Sequence, residues 1–248
     1  MQLIIITLLL TFAIAAEEIP LQKIRLCPVG DPPPFRQVVH NGVRMELDPP
    51  RGTCPPSKVK VSGMMNQEKA PIEYLRLSMG CQTPDFYLPQ SSNPINIEDV
   101  EGASWTKIHP HLSGNSLVLL WKSGTSWSDV GHLVIDAGQA THIDHAFFFT
   151  NVSALDVGLV VGNEKIILQP KKTVSRIFKQ STPCRIVFQQ GDKKLKTCFE
   201  SELSGSVGIH QRLIIYPTNS ATSRNPLKVL TLGESHSSSG IISSNNNR

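Results

Sequence analysis

Five histidines, with several aspartates close by, form the densest group of chemically active side chains in this sequence. His109 and His111 lie two positions apart, so in a strand both side chains would point to one face. Such a pair can bind zinc, and a third histidine from a neighbouring strand would leave one position open to water. One hypothesis is therefore a metal-dependent hydrolase, with candidate ligands His109, His111, His132, His142 and His145.

The spacing of these histidines does not match a known metal motif such as HExxH. The simpler interpretation is that they lie separately on loops and strand faces. The sequence also lacks the G-x-S-x-G turn that presents a nucleophilic serine. We therefore expect no catalysis and no cofactor, and keep the hydrolase as an alternative.

Aromatic and basic side chains are better candidates for binding. Trp121 lies inside the apolar run VLLWK and is predicted to be core, whereas Trp127 lies in a polar loop, where an exposed indole could stack on a sugar or anchor a protein. Basic residues dominate positions 165–196, which could attract an anionic surface or simply form the solvent face of two hairpins. The binding candidates are Trp127, Trp105, Lys171, Lys172, Arg176, Lys194 and Lys196.

The N-terminal residues predict the compartment. Residues 1–16 form an apolar run that ends in small residues, as a secretory signal peptide does, and the run is shorter than the roughly 20 residues of a membrane-spanning helix. No second long apolar run follows, so we expect a secreted, extracellular protein without a transmembrane anchor. The net charge of +4 is small, and the basic run lacks the aromatic interleaving of nucleic-acid binders, so nucleic acid is not an expected partner.

An extracellular destination favours oxidised cysteines and glycosylation. Cys184 and Cys198 flank a predicted hairpin and would lie opposite each other, which predicts a disulfide. Two of Cys27, Cys54 and Cys81 are expected to pair, and the sequence does not say which two. The remaining cysteine could be buried or could link two chains into a dimer. Asn151-Val152-Ser153 is an N-glycosylation sequon, which we expect to be occupied.

Short apolar runs separated by Gly, Asn, Asp or Pro predict an all-β fold with antiparallel strands. Asn41-Gly42 is the strongest hairpin signal. We expect a small disulfide-bonded β module followed by a larger module of sandwich or jelly-roll type. The predicted divisions are a signal peptide at 1–16, the small module at 17–90, a linker at 91–97, the sandwich at 98–216, and a disordered Ser/Asn-rich tail at 217–248, within which residues 228–232 could form a docking strand.

Together these features favour a secreted protein that acts by binding an extracellular protein or a glycan. The alternatives are the metal-dependent hydrolase and a structural secreted component that is crosslinked through its odd cysteine. The hydrolase requires three of the five histidines to converge on one centre.

Overall fold

The computed structural model describes residues 20–33, 35–111, 114–138, 144–190, 194–218 and 225–235. These residues form eighteen β-strands and no α-helix, which confirms the all-β prediction. The signal-peptide prediction lies outside the described residues.

Eight strands form the first half of the structure, in two four-stranded sheets. Sheet I has the strand order β10-β9-β1-β6 and sheet II the order β5-β4-β7-β8. Apolar residues from both sheets form one core, which includes Ile24 of β1 and Ile97 of β7. The strands are β1 (Leu21–Val29), β4 (Lys58–Val61), β5 (Leu75–Arg76), β6 (Phe86–Pro89), β7 (Ile95–Glu98), β8 (Ser104–Ile108), β9 (Asn115–Lys122) and β10 (Val130–Asp136).

The second half is built in the same way from two further sheets. Sheet III has the order β14-β11-β17-β18 and sheet IV the order β13-β12-β15-β16, with a second core between them that includes Phe149 and Ile186. Its strands are β11 (Ala146–Asn151), β12 (Val157–Val161), β13 (Glu164–Leu168), β14 (Thr173–Ile177), β15 (Thr182–Gln190), β16 (Lys194–Leu203), β17 (Ile209–Pro217) and β18 (Leu227–Ser235).

The two halves have the same topology. In sheet I the parallel pair β1 and β9 is flanked by antiparallel β6 and β10, and in sheet III the parallel pair β11 and β17 is flanked by antiparallel β14 and β18. In sheet II, β4 pairs with β5 and β7, and β7 pairs with β8; β12, β13, β15 and β16 repeat this order. The chain therefore contains two consecutive copies of one eight-stranded unit.

The equivalent sheets I and III also pack on each other. A third apolar cluster holds Leu119 and Trp121 of β9 together with Ile214 and Tyr216 of β17, at equivalent positions of the two units. Sheet I is thus covered on both faces, which explains why the run from Leu117 to Trp121 is apolar throughout instead of alternating.

Hydrogen bonds between side chains also connect the two units at the edge of this cluster. Asp31, just after β1, accepts hydrogen bonds from the Tyr216 hydroxyl at 3.3 Å and from Lys228 Nζ at 2.9 Å. Burial, and then the charge of Asp31, raise the pKa of Tyr216 to about 12. The phenol therefore stays protonated and donates to the carboxylate at physiological pH.

The units differ most in one connection. In the second unit β11 leads to β12 through residues 152–156, whereas in the first unit β1 leads to β4 through residues 30–57. This longer connection contains a hairpin of β2 (Gln37–His40) and β3 (Val43–Glu46), with Asn41 and Gly42 at positive φ in the predicted tight turn. Residues 30–57 are therefore an addition to the repeated scaffold, and we call them the insertion.

Several local predictions need correction. The predicted linker at 91–97 contains the start of β7, and sheet I joins strands from both sides of that linker. Two strand pairs are parallel although only antiparallel pairs were expected. Within the tail predicted to be disordered, β18 includes the docking strand proposed at 228–232, extends beyond it at both ends, pairs with β17 over its whole length and contributes Leu227 to the second core. Residues 236–248 lie outside the described part of the chain.

Candidate functional site

Two tryptophans of the first unit lie together where the insertion meets the loop between β9 and β10. Trp105 of β8 is partly buried, and its Nε1 donates a hydrogen bond of 2.7 Å to the Trp127 carbonyl. The two rings lie 6.3 Å apart between centroids. Trp127 is only 2% exposed and belongs to the first core, so the prediction of an exposed Trp127 is wrong. Trp105 is the indole that can reach a ligand.

The insertion holds this loop in place. The Trp127 amide donates to the Gly52 carbonyl at 2.8 Å, and Ser126 Oγ lies 3.3 Å from the same oxygen. Gly52 has a φ of +76°, and a Cβ there would lie 2.2 Å from Ser126 Oγ, so only glycine fits this contact. The position of Trp127 is therefore fixed by a residue 75 positions earlier in the chain, which no local pattern reveals.

A shallow depression of about 470 Å³ lies at this junction. The insertion supplies one wall, with a guanidinium, a thiol and two pyrrolidine rings, and β8 and the tryptophan loop supply the other. Because the Trp105 N–H is already bonded within the protein, the ring surface is what the indole can offer to a ligand. The lining residues are Arg51, Gly52, Cys54, Pro55, Pro56, Trp105, Ser126, Trp127 and Ser128. We call this depression the Trp105 site.

The basic candidates divide into two groups. Arg176 is engaged in an ion pair with Glu164, at 2.8 Å, between the edges of sheets III and IV. The four lysines form the second group. In sheet IV, Leu168 at the end of β13 lies in line with Lys196 of β16 across the two strands between them. The exposed residues Lys171, Lys172, Lys194 and Lys196 therefore share one end of sheet IV.

The candidate histidines that the structure describes do not form a metal centre. Among the described residues there is no group of three His, Cys, Asp or Glu side chains that could hold a metal ion. His111 Nε2 lies 3.2 Å from the Val134 carbonyl, and His145 lies in the second unit, in the turn before β11. The remaining candidate, His142, falls outside the described residues.

His132 lies on the edge strand β10 and has a lowered pKa. Burial lowers its pKa, and the nearby charges of His109 and Lys171 lower it further. The neutral imidazole is therefore favoured, which suits a residue packed at an edge between two basic neighbours.

The predicted Cys184–Cys198 disulfide is not formed. Gln190 pairs with Lys194 at the turn end, a register that already places Cys184 two positions away from Cys198. A bulge between Ile186 and Val187 adds one more position, so Cys184 lies opposite Ser201. Burial raises the pKa of both thiols to about 11, which keeps them protonated and unreactive. The structure also contains no disulfide between Cys27, Cys54 and Cys81; Cys27 is buried in the third cluster, whereas Cys81 is exposed.

The predicted glycosylation of Asn151 conflicts with the fold. Asn151 is fully buried, and its Nδ2 donates to the Leu155 carbonyl at 2.7 Å and to the Leu168 carbonyl at 3.0 Å. Its Oδ1 accepts from the amide and the hydroxyl of Ser153. The nitrogen that would carry a glycan thus donates the hydrogen bonds that hold together a buried corner between β11 and β13. The presence of Asn151 and Ser153 in the sequence is explained by these hydrogen bonds.

Comparison with known protein sequences identified no related family. This sequence matches no model of a known protein family and has no significant match among curated proteins. In the part of the chain that the structure describes, no helix has the length and apolar character needed to cross a membrane.

Proposed function

We propose that this chain is a secreted binding protein, without catalytic activity, that recognises an extracellular protein or a glycan at the Trp105 site. The observation that carries the proposal is the depression in which a partly exposed indole lies beside the insertion. An indole ring face stacks well on the apolar face of a sugar ring or on a prolyl side chain.

The comparison of the two units supports this location. Both units have the same eight-stranded scaffold, which we infer to be a β-sandwich in each case, and loops added to a scaffold commonly carry binding residues. Only the first unit has the long insertion, and that insertion supplies five residues of the Trp105 site, namely Arg51, Gly52, Cys54, Pro55 and Pro56. The extra chain length thus builds a surface that the second unit does not have.

The chemistry of the lining favours a neutral or weakly anionic ligand with both apolar and hydroxyl-rich surfaces. Trp105, Pro55 and Pro56 offer apolar contact, whereas Ser128 and Arg51 offer hydrogen-bond donors. The lysines at the end of sheet IV form a separate basic region, which could add affinity for an anionic surface.

The test uses the secreted full-length protein and a panel of immobilised glycans and proline-rich peptides. Binding is measured as the amount of protein retained by each immobilised ligand. We expect Trp105→Ala to weaken binding of the ligand found by at least about tenfold, because stacking aromatics dominate such contacts. Tyr74→Ala is the matched control, since Tyr74 is an exposed aromatic outside the depression.

Equal loss of binding in both variants, or retained binding in Trp105→Ala, would contradict the proposed site. Retained folding is checked by the urea unfolding midpoint, because the Trp105 indole also packs against the first core.

A further inference from the structure

The hairpin of β2 and β3 is a sheet with no covering layer. All eight of its strand residues are exposed, and the hairpin pairs with no other described strand. Four apolar side chains lie on one of its faces: Val38 is 43% exposed, Val43 62%, Met45 52% and Leu47 38%. A two-stranded hairpin is only marginally stable in water, and an exposed apolar edge readily pairs with another strand.

The hydrogen-bond pattern shows which groups of β3 are available for pairing. His40 pairs with Val43 across the two-residue turn, and the Leu47 amide donates to the Arg36 carbonyl at 2.9 Å. In an antiparallel pair the bonded positions alternate. Val43 and Leu47 therefore direct their main-chain groups toward β2, whereas Arg44 and Glu46 direct theirs outward.

We propose that β3 pairs antiparallel with β3 of a second copy of this chain, about a two-fold axis at Met45. This register places Arg44 opposite Glu46 of the other copy, twice, and all four of these residues have their main-chain N–H and C=O groups in the required direction. It also places Val43 opposite Leu47 of the other copy. The two hairpins then form one four-stranded sheet with two cross-strand ion pairs, and Val38, Val43, Met45 and Leu47 of both copies share one of its faces.

Charge selects this register over the neighbouring ones. A shift of the axis by one residue to Arg44 would place Arg44 opposite its own copy, and a shift to Glu46 would do the same for Glu46. Like charges directly opposite each other are destabilising. An axis between two residues would pair an outward-directed residue with an inward-directed one and break the ladder.

The occupant favoured by these observations is a second copy because the β3 edge is complementary to itself. Closed two-fold pairing uses the same surface on both partners. A paired edge of this length buries less area than a standard interface, so we expect weak, concentration-dependent association.

The experiment is sedimentation equilibrium of the full-length chain, with reductant, from about 1 µM to about 1 mM, the range that covers weak specific association. We expect a monomer–dimer equilibrium for the wild type. Arg44→Glu and Glu46→Arg should each weaken the dimer by about tenfold or more, because each change creates two like-charge pairs. The double variant Arg44→Glu/Glu46→Arg restores opposite charges and should regain the wild-type dissociation constant.

Mixing the two single variants gives a second, independent measurement. One has two glutamates at these positions and the other has two arginines, so a heterodimer should form although each variant alone is weakened. A wild type that remains monomeric at the highest concentration overturns the proposal. A dimer that forms only when reductant is omitted also overturns it, because that would indicate a cysteine crosslink. Single variants that dimerise as well as the wild type overturn it too.

Discussion

The buried amide of Asn151 provides a sharp test of the fold, because two substitutions remove the sequon in physically different ways. Asn151→Asp keeps the side-chain shape but removes the two N–H donors that serve the Leu155 and Leu168 carbonyls. Ser153→Ala removes a hydroxyl that donates to Asn151 Oδ1 at 2.7 Å.

The hydrogen bonds predict unequal effects. A buried polar group that loses its partner costs about 1–3 kcal/mol. Asn151→Asp leaves two carbonyls without their amide donor and brings a carboxyl group against them, so we expect a loss of about 2–5 kcal/mol in the free energy of unfolding. Ser153→Ala leaves both carbonyls with their Asn151 Nδ2 donor and leaves Asn151 Oδ1 with the Ser153 amide as a donor, so it should cost only about 0.5–1.5 kcal/mol.

The assay is urea unfolding followed by tryptophan fluorescence, on protein made in a host that does not glycosylate. The slope against urea should stay constant, so that the midpoints report stability directly. Mass spectrometry of folded protein secreted from a glycosylating host should show Asn151 unmodified. Equal stability losses in the two variants, or a stable folded protein with a glycan on Asn151, would refute this account of the corner.

Two further predictions concern sheet I. A Cβ at Gly131 would lie 2.6 Å from the indole of Trp121, so Gly131→Ala should destabilise the protein by about 1–3 kcal/mol. Gly233→Ala is the control, because a Cβ at Gly233 would lie in open space. It should have little effect in the same urea experiment. Burial lowers the pKa of His132 in the folded protein below the value of about 6.5 that it has in the unfolded chain. The neutral imidazole therefore contributes its full stability above about pH 6.5, and this contribution is lost as the pH falls from there through the pKa of the folded state. His132→Gln should therefore reduce the loss of stability between about pH 8 and pH 5, and an unchanged pH dependence would contradict the assignment.

The sequence predicted strands well where side-chain pattern and turn chemistry agree. The hairpin at Asn41-Gly42 is present, and the short apolar runs separated by turn residues form strands β9 to β13 as expected. Prediction failed where a segment depends on distant partners. The predicted linker contributes to β7, which needs β4 and β8 beside it. The docking strand proposed at residues 228–232 is present, but β18 is longer, because pairing with β17 orders residues on both sides of it.

The candidate site shows the same division. Trp105 was identified because aromatic side chains are common in binding surfaces. Arg51, Pro55 and Pro56, which line the same depression, were not among the predicted binding residues, because their role arises only when the insertion folds against residues 126–127. Trp127 was predicted to be exposed from its polar neighbours in sequence, whereas the insertion covers it.

The sequence by itself determined the all-β class and the position of most strands, because both depend on local residue pattern and on turn residues. Only the tertiary structure decided that the chain contains two copies of one topology, since strand order depends on contacts between distant segments and the two copies retain no visible sequence repeat. The structure also decided the roles of individual polar residues. Whether Asn151 carries a glycan or closes a corner depends on its buried partners, which the three-residue motif does not contain.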